Sequence, residues 1–264
     1  VLGLPDHVTA CLFDLDGVLT PTAKVHNAAW TSTFDGFLRS WADRHHQPYV
    51  PFDSDADYNE HVDGKPRSDG VRDFLASRDI HLPEGEPDDP TDQPPGSETV
   101  TGLGNRKNAE VLTVLKTSGV EAYPGSRRYL EAARDAGLRR AVVSASANCA
   151  DVVSAAKIAD LLEARVDGVT ARAEHLRGKP QPDSFLAGAA KLGVAKENAA
   201  VFEDALSGVE AGRAGRFGFV VGVDRLGGDH GKRLREHGAD VVVGDLAELL
   251  DGGPDTENSA GARS

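Results

Sequence analysis

Short apolar runs alternate with amphipathic stretches along much of this chain, first at its start and again from about residue 120 onward. Val8 to Phe13 is a mostly apolar run bounded by turn residues, the pattern of a buried strand. Further strands are expected at Arg139 to Val143, Ala199 to Phe202, Phe217 to Val223 and Asp240 to Val243, with a weaker pattern at Arg165 to Val169. Between them, Ser126 to Ala136, Ala150 to Leu162, Pro182 to Leu192, Leu206 to Arg213 and His230 to His237 read as helices, several ending near glycine. Strands separated by helices imply parallel crossovers, hence an α/β fold with a doubly wound parallel sheet.

Residues 22 to 118 interrupt that alternation. They begin with an amphipathic stretch whose apolar positions Trp30, Phe34, Phe37, Leu38 and Trp41 recur at helical spacing, an aromatic stripe suited to core packing. Helices are also expected at Asp69 to Ser77 and Asn105 to Lys116, so the segment reads as a helical domain inserted into a sheet domain made of residues 1–21 and 119–251. Pro83 to Glu98 holds five prolines and six acidic residues with no lysine or arginine, which predicts a mobile surface loop. Residues 252–264 are polar and aperiodic, and a disordered tail is expected there.

With 264 residues the chain can bury an ordinary core without staples. No run approaches a membrane span and no secretory pattern opens the chain, so a cytoplasmic location is expected. Cys11 and Cys149 fall in or beside core elements and read as buried, reduced thiols. The formal charge of −13 argues against a nucleic-acid or anionic-membrane surface. An anionic substrate therefore needs local cations or a metal.

The candidate chemistry gathers where strands end or crossovers begin. Asp14 and Asp16 follow the first strand, in Asp14-Leu15-Asp16-Gly17, and period-2 geometry lets both point the same way. An Asp-Gly pair alone is as easily a turn or helix cap. Ser144 after Val142-Val143, Lys179 in Gly178-Lys179-Pro180, and Glu203-Asp204 after Val201-Phe202 change that balance, because together they form a set with one chemical logic. A carboxylate attacks phosphorus, a second carboxylate gives a proton to the leaving oxygen, a hydroxyl holds a phosphoryl oxygen, and a lysine with Mg²⁺ neutralises charge. Mg²⁺ prefers hard oxygen ligands, and Asp14, Asp204 and Glu203 are the carboxylates suited to it.

In order and context, Asp14-Leu15-Asp16-Gly17, Ser144, Lys179-Pro180-x-Pro182-Asp183 and Glu203-Asp204-Ala205-x-Ser207-Gly208-Val209 resemble the motifs of the haloacid dehalogenase superfamily. The resemblance spans roughly residues 8 to 250 and implies a Rossmann-like core with a helical cap inserted after the first motif. It also implies that Asp14 forms an aspartyl-phosphate and that Asp16 is the general acid/base, its backbone carbonyl joining the metal ligands. Within the superfamily, Asp16-Gly17-Val18-Leu19-x-x-Thr22-x-x-x-His26-x-x-x-Trp30 and Ser144-Ala145-Ser146-Ala147-Asn148 are similar to the β-phosphoglucomutase branch, as are Arg106-Lys107-Asn108 and Tyr123-Pro124-Gly125.

That likeness implies substrate contacts from Thr22, His26, Gly64, Arg67, Lys107, Ser146 and Asn148. His26 and Lys107 would support the reacting group, and Arg67 the phosphate that does not react. The chain departs from the branch at Asp63-Gly64-Lys65-Pro66-Arg67, where a lysine usually precedes the glycine, and in its longer acidic loop. The expected activity is a phosphomutase acting as a monomer on a small phosphorylated sugar. The alternatives are a Mg²⁺-dependent phosphatase and, in a different class, a receiver-like phospho-acceptor, which would need neither Asp16 nor so large an insertion.

Overall fold

Ala10–Phe13 forms the first strand, β1, and all four residues are buried, as a central parallel strand covered on both faces requires. The computed structural model describes residues 2–250 and pairs β1 in parallel with β2 (Arg139–Val143) and with β4 (Ala199–Glu203). With β3 (Ala164–Val166), β5 (Phe219–Val223) and β6 (Val241–Val243), these make a parallel six-stranded sheet in the order β3-β2-β1-β4-β5-β6. The winding reverses between β1 and β4. In open α/β sheets the ligand crevice lies at that point, outside the carboxyl ends of the strands.

Period-2 alternation divides the core into two layers. Cys11 and Phe13 pack with Ala200 and Phe202 on one face, whereas Ala10 and Leu12 pack with Ala199 and Val201 on the other. The first face is covered by α4 (Pro124–Asp135) and α5 (Cys149–Ala155), and Tyr129 of α4 meets the stacked pair Phe13–Phe202, whose ring centroids are 4.5 Å apart. The second is covered by α7 (Asp183–Leu192) and α8 (Leu206–Ala214) through Phe185, Leu192 and Ala211. Cys11 and Cys149 are both buried free thiols.

Residues 23–118 build α1 (Ala23–His45), a π-turn at Tyr58–Val62, α2 (Arg67–Ser77) and α3 (Val100–Ser118). Trp30, Phe34, Phe37 and Leu38 of the aromatic stripe join Phe52, Phe74 and Leu103 in an apolar cluster separate from the two sheet layers, while Trp41 is only partly buried. The acidic loop has no helix or strand, yet it is tied down. Buried Glu98 pairs with Arg44 at 3.2 Å, Asn105 Nδ2 donates to Asp89 O at 2.9 Å, and Arg106 Nε donates to Thr91 O at 2.7 Å. These anchors differ from the unattached loop that its composition predicts.

Other boundaries also moved for local reasons. α3 begins at Val100 rather than Asn105 because Thr99 accepts the Gly102 amide at 2.9 Å as an N-cap. β3 stops at Val166 because Asp167 leaves the strand to cap α6 (Gly168–Ala173) through Val169 N and Thr170 N. α5 ends at Ala155, and Lys157 turns the chain at φ 55°. α9 (His230–Glu236) falls where expected. Among the described residues no helix is long and apolar enough to cross a membrane. The tail predicted at 252–264 lies outside the described residues.

Candidate active site

Asp14 follows β1 while its amide still donates to Phe202 O at 2.9 Å, so its carboxylate stands over the β1–β4 reversal. Glu203 ends β4 on the other side and Asp204 follows it. Two glycines make the approach possible. A Cβ on Gly17, at φ +82°, would lie 1.7 Å from Asp204 Oδ2, and one on Gly208 would lie 1.9 Å from the Glu203 carboxylate. Asp14, Glu203 and Asp204 thus each bring a carboxylate oxygen within 4.8 Å of the others.

Lys179 enters this cluster from the α6–α7 connection, almost fully buried, with Nζ 2.5 Å from both Asp14 Oδ1 and Glu203 Oε1. Burial opposes its charge, but the two carboxylates outweigh burial and raise its pKa above the ordinary lysine value. Burial likewise pushes up the Asp14 and Glu203 carboxyls, Glu203 to about 8, against the pull of Lys179. Asp204 is raised well above the carboxylate range by burial, compounded by Asp63, Glu203, Asp14 and Asp16. The three crowded carboxylates are hard oxygen donors that could hold a divalent cation, with the Lys179 ammonium balancing part of their charge.

Asp16 is held differently. Thr22 Oγ1 donates to Asp16 Oδ1, the Thr20 and Thr22 hydroxyls lie 2.7 Å apart, and His26 Nε2 is 3.4 Å from the same carboxylate oxygen. Lys107 Nζ lies 2.5 Å from His26 Nδ1 and over the Trp30 ring at 4.9 Å. With Lys107 donating to Nδ1, Nε2 is the ring nitrogen of His26 that donates toward Asp16. Burial works against ionising Asp16, yet His26 and Thr22, with a smaller pull from Lys107, hold its carboxyl well below the usual range. Burial depresses the Lys107 ammonium to about 7, with Asp16 opposing and Arg67 adding to the shift.

The helical segment closes over these groups. Ser207 Oγ donates to Asp63 O at 2.8 Å, Asn148 Nδ2 donates to Asn108 Oδ1 at 3.0 Å, and Gly64, at φ +70°, backs onto Ser207 and Ala205. Between the two parts lies a cavity of about 1020 Å³ whose walls include Asp14, Asp16, His26, Arg67, Lys179 and Asp204. Arg67 is half-buried there, with Nη1 donating to Gly104 O at 3.2 Å.

Among the residues predicted from sequence, Gly64, Lys107 and Ser146 also line this cavity. Thr22 does not reach it as a substrate contact, because its hydroxyl is buried and spent on Asp16 and Thr20. Ser144 is buried at the end of β2, where its Oγ accepts the Ser146 amide at 3.1 Å and keeps its own proton to donate. Asn148 spans the two parts through Asn108.

Sequence reasoning did not find Tyr58, Asp63 or Arg172. Asp63 faces the core carboxylates, and burial pushes its carboxyl up to about 7; the Tyr58 hydroxyl opposes that rise while Asp14 and Asp16 add to it. Asp63-Gly64 was legible as a turn, but nothing local says what a turn faces.

The chain matches the family model described as haloacid dehalogenase-like hydrolase over residues 8–216. It is 57% identical over 251 residues to a β-phosphoglucomutase of Mycobacterium tuberculosis, covering 95% of this chain and 94% of the relative. It is 30% identical to hexitol phosphatase A of Escherichia coli, over 77% of each protein. A crystal structure of β-phosphoglucomutase from Clostridium difficile shares the fold, with a TM-score of 0.69 at 24% identity, covering 92% of this chain and 93% of that one.

Proposed function

The chain belongs to the haloacid dehalogenase-like hydrolase family, and on that premise we propose that it is a β-phosphoglucomutase, interconverting β-glucose 1-phosphate and glucose 6-phosphate through a hexose bisphosphate. The observation that carries this reading is the meeting of Asp14, Asp16, Lys179, Glu203 and Asp204 at the β1–β4 crevice, beneath a helical cover that brings Arg67 to the same cavity.

Asp14 is the nucleophile. Its carboxylate oxygen attacks phosphorus of the bisphosphate, the bond from phosphorus to the sugar oxygen breaks, and Asp16 gives that oxygen its proton. In the other half-reaction a different sugar hydroxyl attacks the aspartyl-phosphate, passes its proton to Asp16 and frees Asp14. Asp16 is poised as the base of this second step, because His26 and Thr22 keep it ionised. Lys179 offsets the charge of Asp14 and of the transferring group, and Ser144 donates its hydroxyl to a phosphoryl oxygen.

Asp14, Glu203 and Asp204 would hold Mg²⁺, joined by the Asp16 carbonyl as the family resemblance implies, and the ion would neutralise phosphoryl charge that otherwise repels a carboxylate. His26, Lys107 and Thr22 position Asp16, while Gly64, Ser146, Asn148 and Arg67 form the sugar-phosphate side. Residues 22–118 act as a cap that excludes water from the aspartyl-phosphate. All these groups come from one chain, and a monomer suffices.

Hydrolysis is the second reading, favoured by the likeness to hexitol phosphatase A. It uses the same core and differs only in the final acceptor. Supplying β-glucose 1-phosphate with a bisphosphate primer separates the two by product, glucose 6-phosphate or inorganic phosphate.

A further inference from the structure

Arg172 stands on α6 of the sheet domain and lines the same cavity as Arg67, which belongs to α2 of the helical segment. Among the described residues neither guanidinium has a carboxylate within ion-pair distance, although the chain carries a net charge of −13. The cations flanking α6 and α7 are paired, Arg165 with Asp167 at 2.7 Å, Arg177 with Asp183 at 2.8 Å and Lys191 with Glu174 at 3.2 Å, whereas Lys107, on the cavity wall, meets His26 rather than a carboxylate. Two like charges facing one cavity repel each other and, where that cavity is a binding site, attract an anion between them. Burial, together with the charge of Arg172, lowers the pKa of Arg67.

The helix that carries Arg172 is fixed by the chain around it, while the Arg172 side chain itself is exposed. A Cβ on Gly168, at the start of α6, would come 2.7 Å from Ala145 O and 2.9 Å from Ala147 N, so α6 is pressed against the Ser144–Asn148 loop. That loop contains no lysine or arginine. Any positive charge beside it therefore comes from outside, and Arg172 is one turn away along α6.

We propose that Arg172 and Arg67 together hold the phosphate that is not being transferred, one from the sheet domain and one from the helical segment. This inference rests on the phosphomutase reading, since a sugar carrying a second phosphate is what requires an anion site apart from Asp14. A phosphate between the two guanidinia would turn a repulsive pair into a clamp joining cap to core, so ligand binding and closure become one event.

The test is equilibrium binding of glucose 1,6-bisphosphate, with Mg²⁺, to the full chain carrying Asp14→Asn, which cannot form the aspartyl-phosphate. Arg172→Ala and Arg67→Ala should each weaken binding about tenfold or more, and the double variant by less than the product of the two, because both act on one phosphate. Lys232→Ala, on the exposed face of α9, controls for the loss of one positive charge and should shift binding less than about twofold. Binding to Arg172→Ala within about twofold of the parent, or weakened no more than in Lys232→Ala, overturns the proposal. The phosphomutase reading fails by a different result, inorganic phosphate without glucose 6-phosphate from the unmodified enzyme, on which this titration does not depend.

Discussion

Gly17 and Asp204 occupy the same corner of the crevice: the carboxylate lies where a side chain on residue 17 would be, 1.7 Å from the position of a Cβ. The left-handed backbone of Gly17 and the placement of Asp204 are therefore one requirement. Gly17→Ala should displace Asp204, weaken Mg²⁺ binding about tenfold or more and cost about 1–3 kcal/mol of stability. Calorimetric titration with Mg²⁺ and a denaturant melt check both, and unchanged Mg²⁺ affinity would remove Asp204 from the cation site.

The Thr22 hydroxyl bears on pH dependence rather than on substrate binding. It is among the groups that hold Asp16 below the usual carboxylate range, so removing it raises that pKa. The base form then persists over a narrower range, and the acid limb of kcat/KM in Thr22→Val should move to higher pH by about one unit. An unmoved limb in the pH profile would mean that Asp16 is not the group titrating there.

Lys107 makes a prediction about stability. Burial lowers its pKa from 10.5 in the unfolded chain to about 7, so between those values the unfolded state binds more protons and stability rises with pH. Below about pH 7 the cost of the buried ammonium is fully present. Lys107→Met abolishes the cost at every pH, so its stability relative to the parent should fall by about 1–3 kcal/mol between pH 7 and pH 9. Urea unfolding across that range measures the difference, and parallel curves would show that Lys107 keeps an ordinary pKa.

Much of the candidate site was legible because each of its parts is local. Asp14, Ser144 and Glu203-Asp204 follow short apolar runs that read as buried strands and are strands, and Lys179 lies just before the helix start at Asp183, so strand ends and crossovers locate all of them. The parallel order of the sheet then brings β1 beside β4, which the alternation implied without fixing.

What stayed hidden depends on contacts between distant segments. Thr22 stood among the substrate contacts that the family likeness implies, and its hydroxyl partner, Asp16, becomes visible only once the turn at Gly17 is folded. Asp63 faces Asp14, Asp16 and Asp204 only because Gly64 lets its loop lie on Ser207 and Ala205. Arg172 sits in a short helix inside what reads as a strand-to-loop passage, where an arginine is ordinarily just solvated. The acidic loop read as free because its anchors, Arg44, Asn105 and Arg106, belong to helices on either side of it.

The most direct measurement follows phosphorus. ³¹P NMR of β-glucose 1-phosphate with Mg²⁺ and a catalytic amount of glucose 1,6-bisphosphate should show glucose 6-phosphate growing with little inorganic phosphate, and no turnover in Asp14→Asn. Inorganic phosphate accumulating without glucose 6-phosphate would contradict the phosphomutase account and make the same aspartate the nucleophile of a hydrolase.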